Sequence, residues 1–236
     1  MTPQRYDIYR LIHKGIRSYL TETLLAVGRM DPHDAGACQR TLHQLQQLLD
    51  FCSKHLQHEN QFVHPAMERV QPGCAQAMYE HHQHHTDMIA SLEQAAISLA
   101  SAAQEQRDSL AADLYRNLAL FVADNLTHMH EEETVNNAIL WQGYTDDEIL
   151  AIEHALVSSL TPEENAATLQ WILPSINHPE RYGFLTGMRL GAPEAVFNGA
   201  LGIAQGQLPA TDWERLQQAL HLTPSELAPG KLAHAG

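Results

Sequence analysis

Residues 78–88 read Met78-Tyr-Glu-His-His-Gln-His-His-Thr-Asp-Met88, with four histidines at positions 81, 82, 84 and 85. Residues three and four apart share a face of an α-helix. Read that way, the stretch belongs to a longer apolar stripe of Met78, His81, His85, Met88, Leu92, Ala95 and Leu99. Two histidines therefore stand, one turn apart, on the face that should be buried. The same interruption recurs on both sides. Upstream, the stripe Cys38, Leu42, Leu45, Leu49, Cys52, His55, Glu59, Phe62 carries a histidine and a glutamate four apart. Downstream, Leu114, Leu118, Phe121, Asn125, His128, Glu132, Val135, Ile139 does so again. Near the start, Tyr6, Tyr9, His13, Ile16, Leu20, Leu24, Val27 carries a lone histidine.

These stripes predict an all-α protein whose first part is an antiparallel up-down four-helix bundle, followed by an additional C-terminal helical segment. The expected helices run over about 6–28, 34–63, 74–104 and 108–141. Asp34 reads as an N-cap. His64-Pro65 reads as the end of the second helix, since proline disfavours helix in the residue before it. Gln71-Pro72-Gly73 is a further break. The expected division is 1–142 for the bundle and 143–236 for a smaller helical region. The latter has three segments of capping-box form, beginning at Thr145, Thr161 and Thr211. Two more helices are expected over 179–190 and 193–205, and a frayed end from Leu227.

Composition narrows the function. The chain has 236 residues, 44% hydrophobic, 18% charged and only 6% aromatic, an ordinary globular make-up. Its net charge of -14, from 14 basic and 28 acidic residues, argues against nucleic acid and anionic membranes as partners. The N-terminus lacks an apolar signal-like run, and no stretch approaches the length of a transmembrane helix. Three cysteines, Cys38, Cys52 and Cys74, do not suggest a disulfide framework, and a cytoplasmic setting is expected. The 16 histidines are the unusual feature, and most fall between Lys54 and Glu133.

At about 1.5 Å of rise per residue, the interrupting side chains of neighbouring antiparallel helices fall within a turn or two of one level. Seven buried groups, His13, His55, Glu59, His81, His85, His128 and Glu132, would each cost several kcal/mol if left without partners. A pair of divalent ions offsets that cost. Imidazole and carboxylate suit iron, manganese or zinc, and seven ligands leave two six-coordinate ions with room for solvent and an exogenous ligand.

The ordered motifs Ile12-His13-Lys14, His55-Leu-Gln-His-Glu59, His81-His-Gln-His-His85 and His128-Met-His-Glu-Glu132, with Gln61-Phe-Val-His-Pro65 after the second, resemble the hemerythrin-like (HHE) family over about residues 1–140. The resemblance implies a non-haem di-iron centre on those seven residues, with Glu59 and Glu132 bridging the ions, and O₂ or another small diatomic or anionic ligand as partner. The oxygen carriers of that family end in His-x-x-x-x-Asp. The ending His128-x-x-x-Glu132 looks more like members that respond to O₂, iron or nitrosative stress. The iron-sulfur repair members carry an N-terminal cysteine-containing segment, whereas this sequence begins almost directly at the first helix, so a repair role is not expected.

Blander roles are expected elsewhere. His58, His82, His84 and His130 lie off the stripes, with His58 and His82 one register away from His55 and His81 and able to replace them. His64 is expected to pack in a loop, and His33, His43, His154, His178, His221 and His234 at the surface. Asn125 is either a hydrogen-bonding neighbour of a ligand or a solvated polar residue. Tyr9 and Phe121 are expected to be core packing, Cys52 a small buried residue, and Glu131 and Glu133 a solvated face. Three functions compete. One is binding or sensing of O₂ or a related ligand. Another is a di-iron oxidase, peroxidase or nitric oxide-related stress enzyme, although no flavin, nicotinamide or cysteine motif supplies electrons. The last is a metal-stabilised protein acting on a partner through residues 143–236.

Overall fold

The computed structural model describes residues 5–223, which are helical with short connections and contain no strand. The frayed end expected from Leu227 and the surface position expected of His234 lie outside the described residues. Helix α1 spans Arg10–Arg29 and α2 Ala35–His58. Asp34 caps α2, its side chain accepting from the Ala37 amide at 3.0 Å.

The second helix does not stop at His64-Pro65. After α2 the chain makes a π-helical turn over Glu59–Val63 and continues as α3, His64–Val70. A proline ring inside a regular α-helix clashes with the carbonyl four residues back. The π turn opens that spacing: the His64 amide bonds back to the Glu59 carbonyl, five residues away. Pro65 then occupies the first turn of α3, where no donor is required. The pattern repeats later. Following α4, Gln76–Ser101, comes α5, Gln104–Glu131, then a π turn over Glu132–Asn136, then α6, Asn137–Gly143. Single π turns inside α-helices are uncommon and gather at functional sites.

The chain divides into two compact units. The first takes the described residues up to Arg10 together with Tyr19–Leu156; the second takes Leu11–Ser18 and the described residues from Val157 on. In the first, α2 packs on α4, and α4 on α5. The ring of Tyr19 in α1 meets Phe51 in α2 edge-on, with centroids 5.9 Å apart. Gly28 of α1 faces Tyr115 of α5 closely. Helices α3 and α6 also touch. A Cβ at Gly143 would collide with Val70, so the bare glycine permits that approach.

The first unit runs past Gly143. Helix α7, Asp146–Val157, buries Ile149 with Ile8, Tyr9, Val63, Met67, Ile139 and Leu140. Arg5 holds its start, donating to Asp146 at 2.6 Å and to the Tyr144 carbonyl at 2.7 Å. The Tyr6 hydroxyl donates to Glu153.

The second unit holds α8, Pro162–Ser175; α9, His178–Gly191; α10, Glu194–Gln207; and α11, Ala210–Leu220. Its core is apolar: Leu169, Leu173, Leu185, Phe197, Leu201 and Trp213 among others. The Thr161/Glu164 capping box forms, as does a second at Asn177/Glu180. Thr211 is not the cap of α11, which starts at Ala210, two residues before the start a Thr211 cap implies, with Pro209 at the N-cap. Gly15 presses on α8: a Cβ there would lie 3.2 Å from the backbone of Trp171 and Ile172. No described helix is long and apolar enough to cross a membrane.

Candidate metal centre

The buried face of α4 consists of Met78, His82, His85, Ile89, Leu92, Ala96 and Leu99. That is a strict four-three alternation, rotated by one flank from the stripe that includes His81. His82 is 2% exposed, whereas the His81 side chain is 45% exposed and lies 3.5 Å from Glu131. The structure therefore brings His82, not His81, into the middle of the unit.

There it meets residues from three other stretches. One ligand-type atom each from Glu59, His82, His128 and Glu132 lies within 4.8 Å of the others. All four residues are buried. The Nε2 atoms of His82 and His128 are 3.1 Å apart. His128 Nε2 lies 3.2 Å from Glu132 Oε1, and His82 Nε2 lies 3.6 Å from Glu59 and 3.7 Å from Glu132. His55, half-buried, approaches the same carboxylate from the turn before, with Nε2 3.2 Å from Glu59 Oε1. His55, Glu59 and Glu132 again place one ligand-type atom each within 4.8 Å. Glu59 and Glu132 thus belong to both histidine groups. Each is also the first residue of a π turn.

His13 is fully buried, in the part of α1 that belongs to the second unit. His85 is 1% exposed, its ring 4.8 Å from that of His128. His58 is half-buried and belongs to neither group; His84 and His130 are exposed.

Several supporting residues were not legible in the sequence. Asn60 accepts a hydrogen bond from His82 Nδ1 at 2.8 Å. This fixes the proton on Nδ1 and leaves the Nε2 lone pair facing the carboxylates. Asp124 lies 2.6 Å from His85 Nε2. His64, placed in a loop by the sequence reading, is instead fully buried in α3, its ring 4.8 Å from His82 and 4.8 Å from Tyr79. Burial, with His82 beside it, pushes His64 down to about 4. Burial also lowers His85 to about 4, with His128 adding to the effect and Asp124 opposing it. Burial first, then the charges of Glu132 and Glu59, raise the Tyr9 phenol well above its usual value, so it stays protonated. Asn136 donates to its hydroxyl at 3.3 Å. Asn125 bonds only its own helix, donating to the Phe121 carbonyl at 2.8 Å. Phe121 and Cys52 are buried as expected, and the Cys52 thiol is pushed up to about 12 by burial.

Two adjacent buried carboxylates are costly unless a proton or a cation compensates them. The donor chemistry around them is that of a divalent transition ion. His85 Nδ1 is buried with no hydrogen-bond partner. Fold and site define a helical protein with a buried histidine–glutamate cluster suited to cations. The chain belongs to the hemerythrin family: the hemerythrin HHE cation-binding domain matches residues 4–139. No curated protein and no solved structure matches it.

Proposed function

We propose that the first unit is an antiparallel four-helix bundle that holds two iron ions and binds or senses O₂ or a related small ligand. The observation that carries this reading is the pair of carboxylates common to both histidine groups. A carboxylate has two oxygens, so Glu59 and Glu132 can each serve two ions at once. On one side, His55 would serve one ion. His82, His128 and the adjacent His85 serve the other. His82 takes the place that the sequence pattern gave to His81, because its Nε2 faces both carboxylates.

Ferrous ions bound there would supply an open coordination position and the electrons for reversible ligand binding. The rest is the work of the chain. Asn60 holds His82 with its Nε2 lone pair inward. The protonated Tyr9 phenol places a neutral group beside the two carboxylates. Phe121, buried and edge-on to His85 at 5.9 Å, limits water access on that side. The same donors accept zinc or manganese.

Metal content per chain, with the visible spectrum before and after azide, tests the reading. Two irons per chain and ligand-to-metal absorption that shifts with azide are expected. A protein that stays colourless and iron-free after anaerobic iron reconstitution overturns it. The ligand assignment has its own test. His82→Ala should weaken metal binding at least about tenfold, and His81→Ala should leave it unchanged; the reverse order would restore His81.

A further inference from the structure

We infer that Asn137 is a positioning residue: its side chain holds open the wide turn over Glu132–Asn136, and that turn lets Glu132 face the metal centre. The inference rests on the two-metal reading above and deepens it.

In a regular α-helix each amide bonds the carbonyl four residues back. The Asn137 amide would then take the Glu133 carbonyl. It reaches instead to the Glu132 carbonyl, five residues back. The Glu133 carbonyl is met by the Asn137 side chain, whose Nδ2 donates to it at 3.1 Å. A side-chain amide has two protons to give, and the same Nδ2 also donates to Asp7 Oδ1 at 2.7 Å. Both partners are acceptors, which fixes the end of the side chain that carries nitrogen. Asp7 Oδ1 in turn accepts from the Tyr9 and Arg10 amides at 3.1 and 3.2 Å, at the start of α1. Asn137 is fully buried, where a lost hydrogen bond is costly.

The first wide turn has a different origin, since Pro65 cannot follow a regular turn. Residues 132–143 contain no proline, so the second turn needs another cause, and Asn137 supplies it.

The turn decides which residues share a face. Successive helical residues stand about 100° apart, so eight regular steps from Glu132 would leave Leu140 about 80° off its face. The surplus residue of the π turn brings Leu140 back beneath Glu132. Both are fully buried, Glu132 in the cluster and Leu140 with Ile8, Tyr9, Val63 and Met67. Were the turn to close, only one of the two could keep its place. Ile139 and Leu140 hold α6 by their packing, so Glu132 would turn away from His128 Nε2, 3.2 Å from it in this structure.

Two measurements on the full chain test this. Trans-hydrogen-bond couplings in the metal-free protein report which carbonyl the amide of residue 137 bonds, and zinc titration reports affinity. In the wild type the coupling should run to Glu132, and two zinc ions should bind. In Asn137→Ala it should move to Glu133, and zinc affinity should fall about 10- to 100-fold. Asn137→Ser keeps a hydroxyl able to bond the carbonyl four back, so it should retain the wide turn and most of the affinity. Leu45→Ala, at a buried position in α2, removes packing alone and should leave zinc affinity unchanged. A wild-type coupling to Glu133, a coupling to Glu132 that persists in Asn137→Ala, or an equal loss of affinity in Leu45→Ala would overturn the inference and leave the two-metal reading intact. Should Asn137→Ala not fold, Asn137→Ser decides: turn and affinity kept together or lost together support the inference, and one changing without the other overturns it. A wild-type chain that binds neither zinc nor iron would overturn both.

Discussion

The core of the second unit is Leu169, Leu173, Leu185, Phe197, Leu201, Trp213 and their neighbours. At the level of its cluster, the core of the first unit is Glu59, His82, His85, His128 and Glu132, all buried. Both are made of α-helices, yet they stand on different physics. The apolar core removes hydrocarbon from water and has no need of anything from solution. The polar core adds ionisable groups whose burial is unfavourable unless something compensates it. Stability of the apolar core is a property of the chain alone. In the polar core it is shared with whatever occupies the cluster and with pH.

The sharpest way to break this comparison is to load and strip the metal while following amide exchange helix by helix. At free metal about 1,000 times above its dissociation constant, α2, α4 and α5 should gain about 4 kcal/mol of protection. Helices α8 to α11 should be unmoved. An equal response in both units would show that the two cores are not independent in this sense. Glu59→Ala combined with Glu132→Ala should remove the response altogether.

The converse experiment touches only the apolar core. Leu201 is fully buried, and Leu201→Ala should cost about 2–5 kcal/mol with metal content unchanged. Chemical denaturation with a parallel metal assay reads both quantities; a loss of metal here would join the two cores.

Acid separates them more gently. In the metal-free protein His64 stays neutral until about pH 4, whereas an unfolded histidine takes up its proton near 6.5. Because the folded value is depressed, the unfolded state binds the extra proton first. Stability is therefore complete above about 6.5 and falls as pH drops towards 4, by about 2–3 kcal/mol for this group. His64→Leu should flatten that part of the curve. Identical slopes for the two proteins would acquit His64. The smallest effect belongs to the caps: Thr161→Ala should cost about 1 kcal/mol, detectable as faster exchange in the first turn of α8.

Much of this was legible in the sequence, and each miss has a physical cause. Helical periodicity located α1, α2, α4 and α5, because the stripes were long and regular. It also located Glu59, His128 and Glu132, which interrupt those stripes. On α4 the residues Met78, His85, Leu92 and Leu99 fit two stripes equally well. Only packing decides whether His81 with Met88 or His82 with Ile89 completes the face, and it chose the latter. Beyond Glu59 and Glu132 the error was one of phase. A π turn adds a residue to the turn, so the face expected to pass through Val135 to Ile139 passes through Asn136 instead and reaches Ile139 as expected. Val135 is 54% exposed and Asn136 is buried. His64 was lost in the same way, since a proline that ends a regular helix is tolerated after a wide turn. Asp124 and Asn60 left no periodic trace. Each acts across a helix pair, and only the fold brings their partners to them.

The two wide turns carry a consequence for how such a centre is gained or lost. Each is in effect one surplus residue in an otherwise regular helix, and each begins at a shared carboxylate. Removing one residue from either turn would rotate everything after it by about 100° while changing no ligand. Asn136, with its bond to Tyr9, would swing off its face from one deletion, and His64 from the other. The centre is therefore encoded in segment length as well as in residue identity. Among descendants of this chain, single-residue insertions and deletions at 59–63 and 132–136 should mark changes of chemistry more faithfully than substitutions in the surrounding helices.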